Sequence, residues 1–161
     1  MPPIDDTDVI DRAAGLSPGE RLHAARRFRD KVVAATEASR DALLSTPVDG
    51  LSSADRLRVA GHVCTLAGAP TLAAYYDGLL ADVAAGVAAP SAALPAMLRF
   101  ATALTVDPRR GDRAAIEALR GAGLAEPAIV ALAQLVGFLS YQIRVVAGLR
   151  AMRAAAEASA P

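Results

Sequence analysis

The 161-residue chain is predicted to fold as an all-α bundle of about six or seven helices, and three observations carry that prediction. Ser-x-x-acid boxes, the pattern that caps a helix N-terminus, stand ahead of apolar stretches at Ser17–Glu20 and Ser52–Asp55. Within those stretches apolar residues return at intervals of three and four, which stacks them on one side of a helix. Alternation at period two, the mark of a half-buried strand, appears nowhere convincingly. Hydrophobic residues make up 53% of the chain but aromatics only 4%, so the core is expected to consist of closely packed helices rather than walls around a wide apolar pocket.

Taken in order, Asp8 to Ala14 reads as a short helical turn behind a Pro-rich end, with little to add to the core. Ser17-Pro18-Gly19-Glu20 is expected to launch one helix to about Leu44, with Leu22, Ala25, Phe28, Val32 and Leu43 on its inner side. Pro47-Val48-Asp49-Gly50 is a turn. Ser52 and Asp55 open a helix over about 54–67. Gly68 stops it, and Pro70 suits the first position of the next helix, where a missing N–H costs nothing. In that next helix Leu72, Tyr76, Leu79, Val83 and Val87 form the inner stripe, with Asp77 and Asp82 off it. Residues 86–90 break the helix, and Leu94-Pro95 starts another whose Leu98, Ala101 and Leu104 point inward. Asp107 to Gly111 is a loop, Asp112 caps a short helix ended by Gly121 or Gly123, and Pro127 begins the closing helix, to about Ala156. From Ala128 to Leu139 that helix is apolar almost all round, so it must be central or lie at a subunit interface.

The stretch Leu51-Ser52-Ser53-Ala54-Asp55, with the joint Gly68-Ala69-Pro70, resembles the signature helix pair of the alkylhydroperoxidase D and carboxymuconolactone decarboxylase superfamily (AhpD/CMD-like). Ala122-Gly123-Leu124-Ala125-Glu126 and the run from Phe138 to Arg144 are similar to the entry and middle of that family's last helix, so the likeness spans roughly 51–149. It implies a helical core over residues 51–161 with residues 1–50 as an N-terminal helical arm packed on it, in one compact domain. Redox-active members carry Cys-x-x-Cys-x-x-x-His after the glycine and an acid on the preceding helix. Laid over this chain without a gap, those positions become Ala69, Leu72, Tyr76 and Leu57. A thiol at a helix N-terminus is activated because the helix dipole favours its thiolate. Neither Ala69 nor Leu72 has a sulfur, so the resemblance implies the fold and argues against dithiol peroxidase chemistry. Tyr76 retains a hydroxyl, but with an ordinary pKa near ~10 it is a poor base at neutral pH.

Other candidate sites are few. His62 and Cys64 are neighbours in sequence, yet residues two apart lie about 200° apart around a helix of ~3.6 residues per turn. A surface histidine and a buried structural thiol are expected. Tyr76 is either a core aromatic whose hydroxyl finds a partner or a ligand contact. Arg144, among apolar neighbours, needs a carboxylate or water, and is expected to form an ion pair between helices or subunits, with recognition of an anionic ligand as the alternative. His62, Tyr76 and Arg144 are thus the candidates for a pocket at the 68–76 elbow. Phosphate-loop, zinc-protease and dinucleotide fingerprints are missing from the sequence.

Acidic and basic residues number 17 each, which disfavours general affinity for nucleic acid. The single cysteine allows no internal disulfide and no Cys-rich metal site, so no metal or cofactor is expected and a reducing cytoplasm is the simple reading. The acidic start MPPIDDTDVID lacks a signal-peptide pattern, and the charge-free run 127–143 is shorter than the ~20 residues a bilayer span needs. The expectation is a non-redox structural, regulatory or ligand-binding subunit of a homo-oligomer, with a cysteine-bearing relative as a further partner. A cofactor-free enzyme resembling the lactone decarboxylases, working at the elbow, is the alternative.

Overall fold

The computed structural model describes residues 8–84 and 89–159. Among these, the helices are α1 (Val9–Ala14), α2 (Arg21–Arg26), α3 (Asp30–Ser45), α4 (Ser53–Leu66), α5 (Pro70–Ala84), α6 (Leu94–Val106), α7 (Arg113–Gly121) and α8 (Glu126–Ala158), with no strand. The all-α class expected from the sequence is the class found. Val87 and most of the expected break at 86–90 lie outside the described residues.

The α4–α5 hairpin is set by local chemistry. Ser52 accepts the Asp55 N–H at 3.0 Å and so caps α4. At the other end Gly68 takes φ +66°, the Ala69 N–H reaches the Cys64 carbonyl at 2.9 Å, and the Gly68 N–H reaches that of Thr65 at 3.1 Å. That pair of bonds is a Schellman motif, which satisfies carbonyls a helix end would leave orphaned. Pro70 then starts α5, whose inner stripe fades along its length, so that Val83 near its end is exposed. The same stop recurs after α7, where Gly123 has φ +92° and Leu124 bonds back to Leu119 at 3.1 Å. Asp112 caps α7 by accepting the Ala115 N–H at 3.0 Å.

α4 packs most extensively on α5 and also touches α3, α6 and α8. The core gathers Leu57, Val59, Val63, Leu72, Tyr76, Met97, Phe100, Leu119, Leu132, Leu135 and Leu139, all buried. α8 lays one side into this core through Ala128, Ile129, Leu132, Leu135, Val136, Leu139, Gln142, Val146 and Leu149. By length and composition it is the one helix among the described residues able to cross a membrane. A core helix passes the same test, and this one packs against α1, α3, α4, α6 and α7.

The first 45 residues depart from expectation in three ways. α1 is no minor appendage: Val9, Ile10, Ala13, Ala14 and the following Leu16 are buried, and α1 packs on α8. Arg150 of α8 donates to the Ala13 carbonyl at 2.7 and 3.0 Å and to the Thr71 hydroxyl at 2.7 Å, which ties the end of α1 to α5 and α8. Second, Ser17 does not cap. The Glu20 N–H bonds to the Ser17 carbonyl at 3.2 Å across Pro18 and Gly19, whose φ of +94° is a turn conformation, so α2 starts only at Arg21. Third, the expected helix to Leu44 comes as α2 and α3 with a 3₁₀ segment, Arg27–Arg29, between them. A tighter winding of ~3.0 residues per turn shifts the phase of everything after it. Phe28 and Val32 therefore face outward, 85% and 52% exposed, while Thr36 and Leu44 are buried in their place.

Charge explains where that break falls. Asp8 caps α1 by accepting the Ile10 N–H at 2.7 Å and also takes Arg26 at 2.8 Å. Asp11, fully buried, accepts Arg26 at 2.8 Å and Arg27 at 2.9 and 3.1 Å, with His23 at 3.6 Å. The 3₁₀ turn carries Arg27 toward the same carboxylate as Arg26. Beside them, burial and the neighbouring Asp8 raise the Glu37 carboxyl above its ordinary pKa, against a smaller opposing pull from Arg40.

Asp11→Asn should lower the unfolding free energy by about 1.5–3 kcal/mol, since it removes the fully buried carboxylate that accepts from both Arg26 and Arg27 while Arg26 keeps its bond to Asp8; urea unfolding at neutral pH measures this. Glu37→Gln tests the carboxyl pair. A folded-state pKa above the unfolded one gives stability that is full below about pH 4 and lost as pH rises through the native value. The variant should therefore gain stability relative to the parent between about pH 4 and pH 7, read from parallel denaturation curves.

Candidate functional site

The elbow between α4 and α5 is the place the sequence singles out, and it is filled. Leu57, Leu72 and Tyr76 are 3%, 1% and 0% exposed, and they belong to the continuous apolar core; Ala69 is half-buried at the joint and packs against it. Pro70 and Gly68 orient α5 so that residues 72 and 76, one turn apart, enter the interior together. The centre of the hairpin is a plug rather than a lined hollow.

One polar interaction sits inside that plug. The Tyr76 hydroxyl donates to Oε1 of Gln142 on α8 at 2.7 Å, both residues being fully buried. Burial raises the Tyr76 phenol well above its ordinary pKa, so it stays a neutral donor. Tyr75, one residue earlier, packs edge-on against Tyr76 with ring centroids 5.1 Å apart, and the guanidinium groups of Arg12 and Arg40 lie 5.7 and 6.0 Å from its ring. Gln142 Nε2 has no hydrogen-bond partner among the described residues, which marks this as a polar group held in the core by packing.

Cys64 lies on the inner side of α4, fully buried, and its thiol is pushed up to about 12, first by burial and then by the nearby Asp77 carboxylate. A thiol so placed supplies almost no thiolate at neutral pH. Asp77 itself crosses close to α4: a methyl group on Gly61 would stand 2.6 Å from its Oδ1. His62 points to the other side, as the offset between residues two apart requires. Its Nε2 stands 2.8 Å from Thr102 Oγ1 on α6. The Thr102 hydroxyl gives its proton to the Leu98 carbonyl at 2.8 Å, so the ring Nε2–H is the donor.

His62, Tyr76 and Arg144 are not brought together. Tyr76 turns into the core toward α8, His62 is engaged with α6, and Arg144 stands exposed on the outer side of α8. Of the pairings expected for Arg144, the one between helices of the same chain is not formed among the described residues, because the guanidinium lies exposed at the surface. Of the four positions tied to the resemblance, Leu57 borders a recess of about 410 Å³ shared with Arg40, Asp41, Tyr75 and Leu79. No group of three or more His, Cys, Asp or Glu among the described residues is placed to hold a metal ion.

Two features escaped the sequence. Arg56 is buried, donates to the Leu43 carbonyl at 2.8 Å, and has its pKa lowered by burial. It caps the C-terminal end of α3 from α4, a favourable place for a cation at the negative end of a helix dipole. The ionic group Asp8, Asp11, His23, Arg26 and Arg27 joins positions up to 18 residues apart and leaves no local spacing signal.

No family model matches the chain, and no curated protein matches it. Solved structures do. A crystal structure of an uncharacterized peroxidase-related protein from Silicibacter sp. TM1040 superposes with a TM-score of 0.58 at 21% identity, covering 87% of this chain and 78% of that one. The chain has the fold of that peroxidase-related protein. At this identity the likeness establishes the helical architecture and nothing finer.

The Tyr76–Gln142 pair can be weighed by substitution. Tyr76→Phe leaves a buried amide oxygen without a donor and should cost about 1–3 kcal/mol, whereas adding Gln142→Leu should recover most of that loss, because removing both partners is nearly neutral. A double-mutant cycle from thermal or urea unfolding reads the difference.

Proposed function

We propose that this chain is an alkylhydroperoxidase D-like protein that performs no dithiol chemistry and acts as a structural subunit of a homo-oligomer. The observation that carries the reading is the plugged elbow. Where redox-active members of that family are expected to carry thiols and an imidazole, this chain has Ala69, Leu72 and Tyr76, and the last two are sealed in the core. Its one thiol is on a different helix, out of solvent and with a pKa of about 12. The structural neighbour adds that a peroxidase-related protein uses this helical arrangement.

The alternative of a cofactor-free enzyme at the elbow required at least two of His62, Tyr76 and Arg144 to converge on a hollow. The three diverge, so the geometry favours the structural reading. The balanced charge is in keeping with a protein partner rather than nucleic acid.

Purified protein supplied with a hydroperoxide and a dithiol reductant should show no turnover above the uncatalysed rate, and Cys64→Ser should behave like the parent. Hydroperoxide reduction abolished by that substitution would overturn the reading. In the native protein Cys64 should resist a thiol-reactive dye at about pH 8 and react only on unfolding, as a buried thiol does.

A further inference from the structure

α8 has a second side. Residues recurring at helical spacing along it, Glu126, Val130, Gln134, Gly137, Tyr141, Arg144 and Gly148, are all exposed. This is the side opposite the buried stripe, and between Glu126 and Arg144 the helix carries no charge at all. Val130 and Tyr141 are 55% and 43% exposed, large apolar groups left in water. Space is open at Gly137 and Gly148, where an added methyl group would touch nothing within 4 Å. The apolar surface continues sideways: Thr36 on α3 stands 3.4 Å from the Tyr141 hydroxyl, and one turn back along α3 is Val32, which is exposed, as is Phe28 in the 3₁₀ segment before α3.

We propose that this face pairs with the same face of a second copy of the chain, α8 against α8 and antiparallel, about a two-fold axis level with the midpoint of Gln134 and Gly137. The inference rests on the oligomeric part of the reading above and adds where the contact lies and how it is oriented.

The charges select the orientation. Glu126 and Arg144 are about five turns apart at ~3.6 residues per turn, so they lie on one side of the helix about 27 Å from each other. They are opposite in sign and bracket the uncharged stretch. Arg144 is exposed and has no partner among the described residues, and Glu126, although bonded to Arg120 at 2.8 Å, keeps its side chain 77% exposed. A parallel copy would set Arg144 beside Arg144. An antiparallel copy centred between Gln134 and Gly137 brings Arg144 to within one residue, about 1.5 Å along the axis, of Glu126 of the second copy, twice by symmetry. The same register lays Tyr141 on Val130 of the second copy and Gly137 against its Gln134, where the missing side chain lets the helix axes approach to about 8–10 Å. A face about 27 Å long and about 10 Å wide gives about 540 Å² over the two copies, roughly half of the ~1,000 Å² a specific interface buries. Val32, one turn from Thr36 on α3, and the exposed Phe28 before it offer further apolar area on both copies.

The test is sedimentation velocity over a range of protein concentration on four chains: parent, Arg144→Glu, Glu126→Arg and the double exchange. All changes are on an exposed helix surface, and circular dichroism checks that the fold is kept. Each single reversal should weaken self-association at least about tenfold by setting like charges together at both ends, and the double exchange should restore it. Independently, Val130→Cys combined with Tyr141→Cys should form a disulfide between chains under mild oxidation, with Cys64 too buried to compete. A parent that is monomeric throughout overturns this proposal and the oligomeric part of the reading above. An oligomer indifferent to Arg144→Glu, or one that the two introduced thiols fail to cross-link, overturns the α8 face alone.

Discussion

The joint between α4 and α5 is the constraint on which the remaining architecture depends. A positive φ at Gly68 lets two backbone bonds close the end of α4, and Pro70 begins α5 at once, so the two helices leave the joint with no slack. Leu57, Val63 and Cys64 then meet Leu72 and Tyr76 from opposite sides of one seam. α6 and α8 close over that seam, and α1 is held to α8 and α5 by Arg150. Moving the joint by one residue would rotate α5 by about 100° and expose Leu72 and Tyr76.

This joint was readable in sequence because its determinants are local. Ser52, Asp55, Gly68 and Pro70 lie close together in the chain and act through backbone bonds between near neighbours. Burial of Cys64 and the divergence of His62 followed from helical geometry alone. The hydroxyl of Tyr76 could be expected to need a partner, but that partner, Gln142, is 66 residues away and has no spacing to announce it. The N-terminal 45 residues misled for the same reason. A long amphipathic helix satisfied the local pattern from Leu22 to Leu43, and the preference that broke it came from Asp8 and Asp11 drawing Arg26 and Arg27 inward, at separations of 15–18 residues. Ser17 illustrates a narrower failure: the Ser-x-x-Glu box was present, but Pro18-Gly19 is also a turn, and the turn won.

A buried tyrosine and glutamine cost stability that two leucines would not. What the pair provides is specificity. An apolar α5 could slide or rotate against α8 over many nearly equivalent packings, whereas the bond from Tyr76 to Gln142 is made in one register only. The same holds at the N-terminus, where Asp11 accepts two arginines in a single geometry and so fixes α2 against α1. In an alanine-rich chain with 4% aromatics, side-chain shape discriminates weakly between packings, and buried polar bonds carry that discrimination instead.

The division of α8 into two sides follows from the same economy of large side chains. Its inner stripe supplies Leu132, Leu135 and Leu139 to the core, filling the space that small residues elsewhere leave. Its outer stripe has no role in that core, yet it is kept free of charge from Pro127 to Ile143 and carries Val130 and Tyr141 into water. α3 and α7 on the same molecule carry frequent charges, including Lys31, Glu37, Arg40, Asp41, Arg113, Glu117 and Arg120. Solubility alone would treat the outside of α8 in the same way, since a charged residue at 130, 134 or 141 would cost the fold little. An uncharged outer stripe bounded by one acid and one base is what the proposed antiparallel pairing of two copies requires.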